Sequence, residues 1–262
     1  MALFPDSAPV VIAHRGSRWL WPENTMVAFE GAVALGVRHI ETDLRLSGDG
    51  VLMCCHDARL ERTTDARGPV RALTASQLAE VDAGFRFGTG QGHPHRGKGL
   101  GIPRFEEVAD RFSDAVLFLD MKEEGLEEPL AEFLEQHGLR QRVVVGSFSD
   151  ERLQRFRRLT GNQVATSASP KEAQALFKQA WLRRASQSES PAVALQVPQF
   201  WRGVPVVTPR LISQAHSEGM QVHVWTINHP ARMRLLLKMG VDGIITDRPD
   251  LMQKVICKAD TR

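Results

Sequence analysis

Residues 39–56 read HIETDLRLSGDGVLMCCH, and the interpretation of this stretch decides the fold. Residues 39–44 and 51–56 are both strand-like, and the link between them, 46–50, carries turn chemistry. A parallel crossover needs about a dozen residues or more. The two runs therefore pair as a hairpin, which brings His56 back toward Glu41 and Asp43. Those two acids are spaced i, i+2, so on a strand both carboxylates point to the same face. Carboxylates aimed at one spot repel unless a cation lies between them, and oxygen ligands suit a hard cation such as Mg²⁺ or Ca²⁺. His56 and the earlier His14 can give and take protons near neutral pH. The set reads as a metal-dependent hydrolytic site, provided the fold brings its parts together.

Outward from this hairpin, short apolar runs alternate with helical-period segments. Strand-like runs begin at Val10, His39, Val116, Val143, Gln163, Val193, Gln221 and Gly243, and helical segments separate them. The run at 163–166 is short, and the helix after it spans 171–184. Eight βα units in 262 residues predict an α/β fold, a (β/α)₈ TIM barrel of parallel strands, as one domain over 1–262. Residues 57–103 break the rhythm as an irregular insertion after the second strand, with one helix near 76–81. His93 and His95 in this stretch read as solvated loop histidines rather than ligands. An open doubly wound sheet fits less well. Arg15-Gly16-Ser17-Arg18 stands where a glycine-rich phosphate loop would follow the first strand. A barrel site lies at the C-terminal strand ends, where His14, Glu41, Asp43, Asp120, Lys122, Trp225 and Asp247 fall.

Composition excludes several classes. A formal net charge of +2, with no basic run beyond Arg157-Arg158 or Arg183-Arg184, argues against nucleic acid or a membrane as a partner. No window of about 18 uncharged apolar residues predicts a membrane span, and the N-terminus lacks the pattern of a signal peptide. Three cysteines without CxxC spacing fit a reducing cytoplasm, the expected location. Cys54-Cys55-His56 does not read as a soft-metal site, because neighbours on a strand face opposite ways.

Several motifs recur in a familiar order: Ala13-His14-Arg15-Gly16, Pro22-Glu23-Asn24-Thr25, Glu41-Thr42-Asp43, His56-Asp57, Arg62-Thr63-Thr64, Ile102-Pro103 and Ser147-Phe148. They continue through Trp225-Thr226-Ile227-Asn228 to the run from Gly240 to Pro249. Over nearly its whole length the chain resembles the glycerophosphodiester phosphodiesterase family. The resemblance implies a barrel with an insertion after its second strand, and hydrolysis of small-molecule glycerophosphodiesters to glycerol-3-phosphate and an alcohol. It implies Glu41 and Asp43 as metal ligands and His14 and His56 as the acid/base pair. It also implies a third ligand at Asp120, where family members more often carry glutamate, one methylene longer.

With one divalent cation, Mg²⁺ or Ca²⁺, bound there, Arg15 and Lys122 supply positive charge for a phosphodiester. Trp225 is expected to stack on the substrate and Asp247 to brace the closing loop. Asn24 either caps the helix after it or reaches the site. Two alternatives stand beside this reading. One is a lysophospholipase D, with Trp19-Leu20-Trp21, Phe85 and Phe87 holding an acyl chain. The other is a catalytically silent barrel that only binds metal or phosphodiester.

Overall fold

The computed structural model describes residues 3–4, 9–182 and 190–257. The first half runs β1 (Val10–His14), α1 (Met26–Ala34), β2 (His39–Leu46), β3 (Leu52–Cys54), α2 (Ala75–Glu80), α3 (Phe105–Arg111), β4 (Val116–Met121) and α4 (Glu127–Gln136). It continues with β5 (Val143–Gly146), α5 (Asp150–Leu159), α6 (Pro170–Leu182), β6 (Ala194–Pro198) and a small hairpin, β7 (Phe200–Trp201) with β8 (Val204–Pro205). The last elements are α7 (Pro209–Ser217), β9 (Gln221–Trp225), α8 (Pro230–Lys238), β10 (Gly243–Thr246) and α9 (Pro249–Cys257).

Seven strands pair in the parallel order β5-β4-β2-β1-β10-β9-β6. The ring closes through Thr166 and Ser167, which bridge Val145 of β5 and Ala194 of β6. The expected strand at 163–166 is thus reduced to two bridging residues. Backbone bonds tie this short segment to both neighbours, with the Ser167 amide donating to the Val145 carbonyl (3.0 Å) and the Val193 amide to the Thr166 carbonyl (2.9 Å). Arg157, buried on α5, adds bonds to Thr166 Oγ1 (2.9 Å) and to the Ser167 carbonyl (3.1 Å). The helix expected over 171–184 ends at Leu182 within the described residues, and Arg183-Arg184 lie outside them. The hairpin β7–β8 and the helix α9 were not expected from the sequence.

β3 folds back antiparallel on β2, with Leu44 opposite Cys54 and Leu46 opposite Leu52, as the short link at 46–50 requires. Residues 57–103 follow. Their helix α2 has a reciprocal cap between Thr74 and Gln77. Leu60, Val70, Leu78 and Ile102 pack there with Met53 of β3 in a small apolar cluster. Among the described residues no helix is long and apolar enough to cross a membrane.

Period-two alternation divides the barrel interior by height. Val10 and Ile12 of β1, Val116 and Phe118 of β4 and Ile245 of β10 share one apolar cluster. The next residues along the same faces are His14, Asp120 and Asp247. Each of these strands is apolar at its start and ionisable at its C-terminal end, so the charged groups gather on one rim.

Candidate active site

His14 ends β1, and the chain then turns sharply through Arg15 (φ 52°) and Gly16 (φ 75°). Glycine is required at the second position, since a Cβ there would stand 2.8 Å from the backbone of Ala28. The turn aims the Arg15 amide at Glu41, whose Oε2 accepts it at 2.9 Å. His14 Nδ1 lies 2.6 Å from Asp247 Oδ1, and its Nε2 lies 4.0 Å from Glu41 Oε2. A carboxylate at Nδ1 keeps a proton on that nitrogen and leaves Nε2 facing the rim. Asp247 is itself fixed. Asn228 Nδ2 donates to its Oδ2 at 2.8 Å, and Arg18 Nε lies 3.1 Å from its Oδ1. Burial pushes the Asp247 carboxyl up, but the His14 contact and the Asn228 bond outweigh it and hold the group below its ordinary range.

His56 is built the same way on the hairpin arm. Its Nδ1 lies 2.6 Å from Asp57 Oδ1, and Arg62 bonds the other Asp57 oxygen. Arg62 then grips Glu23 with both terminal nitrogens, at 2.8 and 2.7 Å, and Glu23 also accepts from Arg15 Nη1 at 2.8 Å. A continuous chain of alternating charge therefore runs from His56 to Arg15 and anchors the start of the insertion to the first turn. Partial burial is the main influence on the His56 imidazole and lowers its pKa below the ordinary histidine value.

Between the two histidines stands a carboxylate cluster. Asp43 is buried, with Oδ1 2.8 Å from Lys122 Nζ and Oδ2 3.0 Å from both Asn24 Nδ2 and Arg15 Nε. Arg15 Nε makes this contact through charge and not as an aligned hydrogen bond. Burial opposes ionisation of Asp43, but Lys122 and then Arg15 overcome it and the carboxyl is held low. Glu41 moves the other way. Burial first and the Asp43 charge second push its carboxyl up, and the nearby His14, Arg15 and Lys122 only partly offset them. Lys122 Nζ also lies 2.6 Å from Asp120 Oδ2, while Asp120 Oδ1 is buried with no hydrogen-bond partner among the described residues.

The expected residues therefore meet on one rim, apart from details of pairing. Asn24 serves the site, donating to Asp43 and accepting from Thr42 Oγ1 at 2.8 Å, while Thr25 caps α1. Trp225 sets its ring edge-on to Phe148 with centroids 5.9 Å apart, beside Lys122. Glu41, Asp43 and Asp120 do not stand as a ready cage. Among the described residues no three His, Cys, Asp or Glu side chains converge as a metal-holding group, and the Lys122 ammonium occupies the place between Asp43 and Asp120. Their chemistry nonetheless suits a hard cation. Glu41 and Asp43 aim oxygens at one rim, and Asp120 Oδ1 is buried with no hydrogen-bond partner among the described residues.

The remaining expectations sort cleanly. His93 bonds the Phe87 carbonyl at 3.2 Å, and His95 packs edge-on against the Phe87 ring. Phe85 has the Arg96 guanidinium 4.1 Å from its ring centroid, and Trp21 lies where a side chain on Gly31 would stand. Of the aromatics expected to hold an acyl chain, Trp19 alone is strongly exposed. Cys54 and Cys55 are buried, and burial pushes both thiols up to about 12, which suits inert packing. The sequence did not identify Asp247 as the partner of His14. The register held that signal, because Ala13 pairs with Thr246 and so sets the next two residues side by side.

The profile of the glycerophosphoryl diester phosphodiesterase family matches residues 14–251. A probable glycerophosphodiester phosphodiesterase 2 of Mycobacterium tuberculosis is 36% identical over 257 residues, covering 94% of this chain and 90% of the relative. A glycerophosphodiester phosphodiesterase of Bacillus subtilis is 32% identical over 97% of this chain and 88% of its own length. Among solved structures, an Oleispira antarctica phosphodiesterase in complex with the product sn-glycerol-3-phosphate superposes with a TM-score of 0.76 at 28% identity, covering 95% of this chain and 97% of that one.

Proposed function

The chain belongs to the glycerophosphoryl diester phosphodiesterase family, and we propose that its rim hydrolyses small glycerophosphodiesters such as glycerophosphocholine and glycerophosphoethanolamine to glycerol-3-phosphate and an alcohol. One observation carries this reading: two histidines, each held at Nδ1 by a carboxylate 2.6 Å away, flank one cluster of carboxylates and cations. Held this way, each ring presents its Nε2 to a substrate. One histidine takes the proton from the nucleophile and the other delivers a proton to the departing alkoxide, each transfer contributing roughly 10²–10⁴-fold. The nucleophile is water, or the glycerol 2-hydroxyl, whose cyclic phosphate water then opens to glycerol-3-phosphate. The carboxylates at Nδ1 stabilise each imidazolium as it forms.

A phosphodiester anion needs positive charge on arrival. Arg15 offers a planar fork and Lys122 a compact ammonium, both already oriented by Asp43. Glu41, Asp43 and Asp120 would hold one divalent cation, Mg²⁺ or Ca²⁺, whose chemistry when bound is Lewis-acid polarisation of a phosphoryl oxygen. Trp225 bounds the substrate space on the side of Phe148.

The test is release of glycerol-3-phosphate from glycerophosphocholine by metal-stripped protein given Mg²⁺, Ca²⁺ or chelator, beside His14→Ala. Metal-dependent release that the substitution abolishes is expected. Binding without turnover under every metal condition would overturn the reading in favour of a silent barrel.

A further inference from the structure

The hairpin β7–β8 leaves the barrel just after Pro198, and Pro198 is the register partner of Trp225, so it rises from the substrate rim. Neighbouring residues on a strand point to opposite faces. Phe200 is nevertheless 46% exposed and Trp201 60%, and Val204 across from Trp201 is 46% exposed. None of the hairpin's strand residues is buried, and the pair is tied at its base by the Val206 amide to the Gln199 carbonyl (3.0 Å). An isolated two-stranded hairpin is marginal in water at best, and this one presents apolar groups on both sides.

Its tip is Arg202-Gly203, with φ of 48° and 82°, the two-residue turn that suits hairpin twist. Asparagine or glycine would take the first position with less strain, yet an exposed arginine stands there. The same rim continues the pattern. Phe148, in the loop after β5, is 68% exposed, and Trp19, in the loop after β1, is 63% exposed with the Arg248 guanidinium 5.9 Å from its ring centroid. Acids in these loops are already paired: Asp247 with His14 and Arg18, Asp250 with Arg248, and Glu151 with Lys171.

Aromatic rings interleaved with arginine match the headgroup level of an anionic bilayer, where amphipathic rings settle and cations are attracted. We propose that the β7–β8 hairpin docks this rim on an anionic lipid surface, seating Phe200 and Trp201 at the acyl boundary with Arg202 among the headgroups. The docked rim faces the source from which glycerophosphodiesters are released, and in that respect the inference rests on the function proposed above.

Co-sedimentation separates the two readings, because vesicle binding needs no turnover. The full chain is mixed with vesicles of phosphatidylcholine alone or of phosphatidylcholine with phosphatidylglycerol. Wild type is expected in the pellet with the anionic vesicles. The double change Phe200→Ser with Trp201→Ser should lower that partition by about tenfold or more. Arg202→Glu should abolish the preference for anionic over neutral vesicles. Turnover of glycerophosphocholine free in solution should be unchanged in both variants. Wild type remaining in the supernatant, or variants that pellet as well as wild type, would overturn the proposal. So would a dimer of the wild type that the double variant dissolves, since the hairpin's occupant would then be a second copy.

Discussion

Histidine occurs at both ends of this barrel and is a different residue at each. At the N-terminal end, His223 is fully buried among Phe4 and Phe118, with ring centroids 5.3 and 5.6 Å away. Its Nδ1 has no hydrogen-bond partner among the described residues, and burial, aided by His39, pushes its pKa down to about 3. At the C-terminal end, His14 and His56 each have a carboxylate 2.6 Å from Nδ1, and that carboxylate is fixed by further donors. The difference teaches that an imidazole becomes useful for proton transfer through what holds its second nitrogen. One fold sets both environments, through the same alternation along the same strands.

Three substitutions test that contrast. The largest effect is expected on turnover. His56→Ala should lower kcat by about 10²–10⁴-fold, whereas His223→Leu should leave steady-state kinetics unchanged. Equal losses in the two variants would break the contrast outright.

A smaller but still large effect concerns the cluster between His14 and His56. Lys122→Met leaves buried Asp43 and Asp120 facing each other without the ammonium that bridges them. Denaturant unfolding should then show a loss of about 3 kcal/mol, as expected when one partner of a buried charge pair is removed. Unaltered stability would mean that the charged rim is not held together by its own cations.

The smallest effect sharpens the other end. The folded pKa of His223 is depressed, to about 3 from an unfolded value of 6.5, so the unfolded chain binds the extra proton between those limits. Stability is therefore lost as pH falls below 6.5, and the loss is complete only near pH 3. At a pH of about 5 the cost is on the order of 2 kcal/mol. His223→Leu should flatten that part of the unfolding free energy measured against pH. An identical acid slope in the two proteins would show that the buried ring stays neutral at no cost.

Features set by local spacing were legible in the sequence. The short link at 46–50 forced the β2–β3 hairpin, and the Glu41–Asp43 spacing put both acids inside the barrel. Strands with a clear apolar run, such as β4 and β10, fell where periodicity put them. The strand at 163–166 was overestimated, because only Thr166 and Ser167 bridge the neighbouring strands and so short a run carries no readable period. The β7–β8 hairpin was missed because its strands have two residues each and none is buried, so no alternation of buried and exposed positions marks it. Within the site, residue types were readable but partnerships across 233 positions, such as His14 with Asp247, needed the register of the closed ring. Arg15 and Lys122 were expected to face substrate, and the structure shows that carboxylates already engage both.

The order of these parts along the chain has a consequence during synthesis. His14, Arg15, Glu41, Asp43, His56, Asp120 and Lys122 all leave the ribosome well before β10. Asp247, which bonds His14, and β10, which gives β1 its second neighbour, follow Lys122 by more than a hundred residues. A nascent chain therefore carries every reactive group long before it can align them. Under the function proposed above, proton transfer at His14 would begin only when β10 arrives, and a chain stalled or cut before β10 would be expected to show no turnover however much of the rim it has folded.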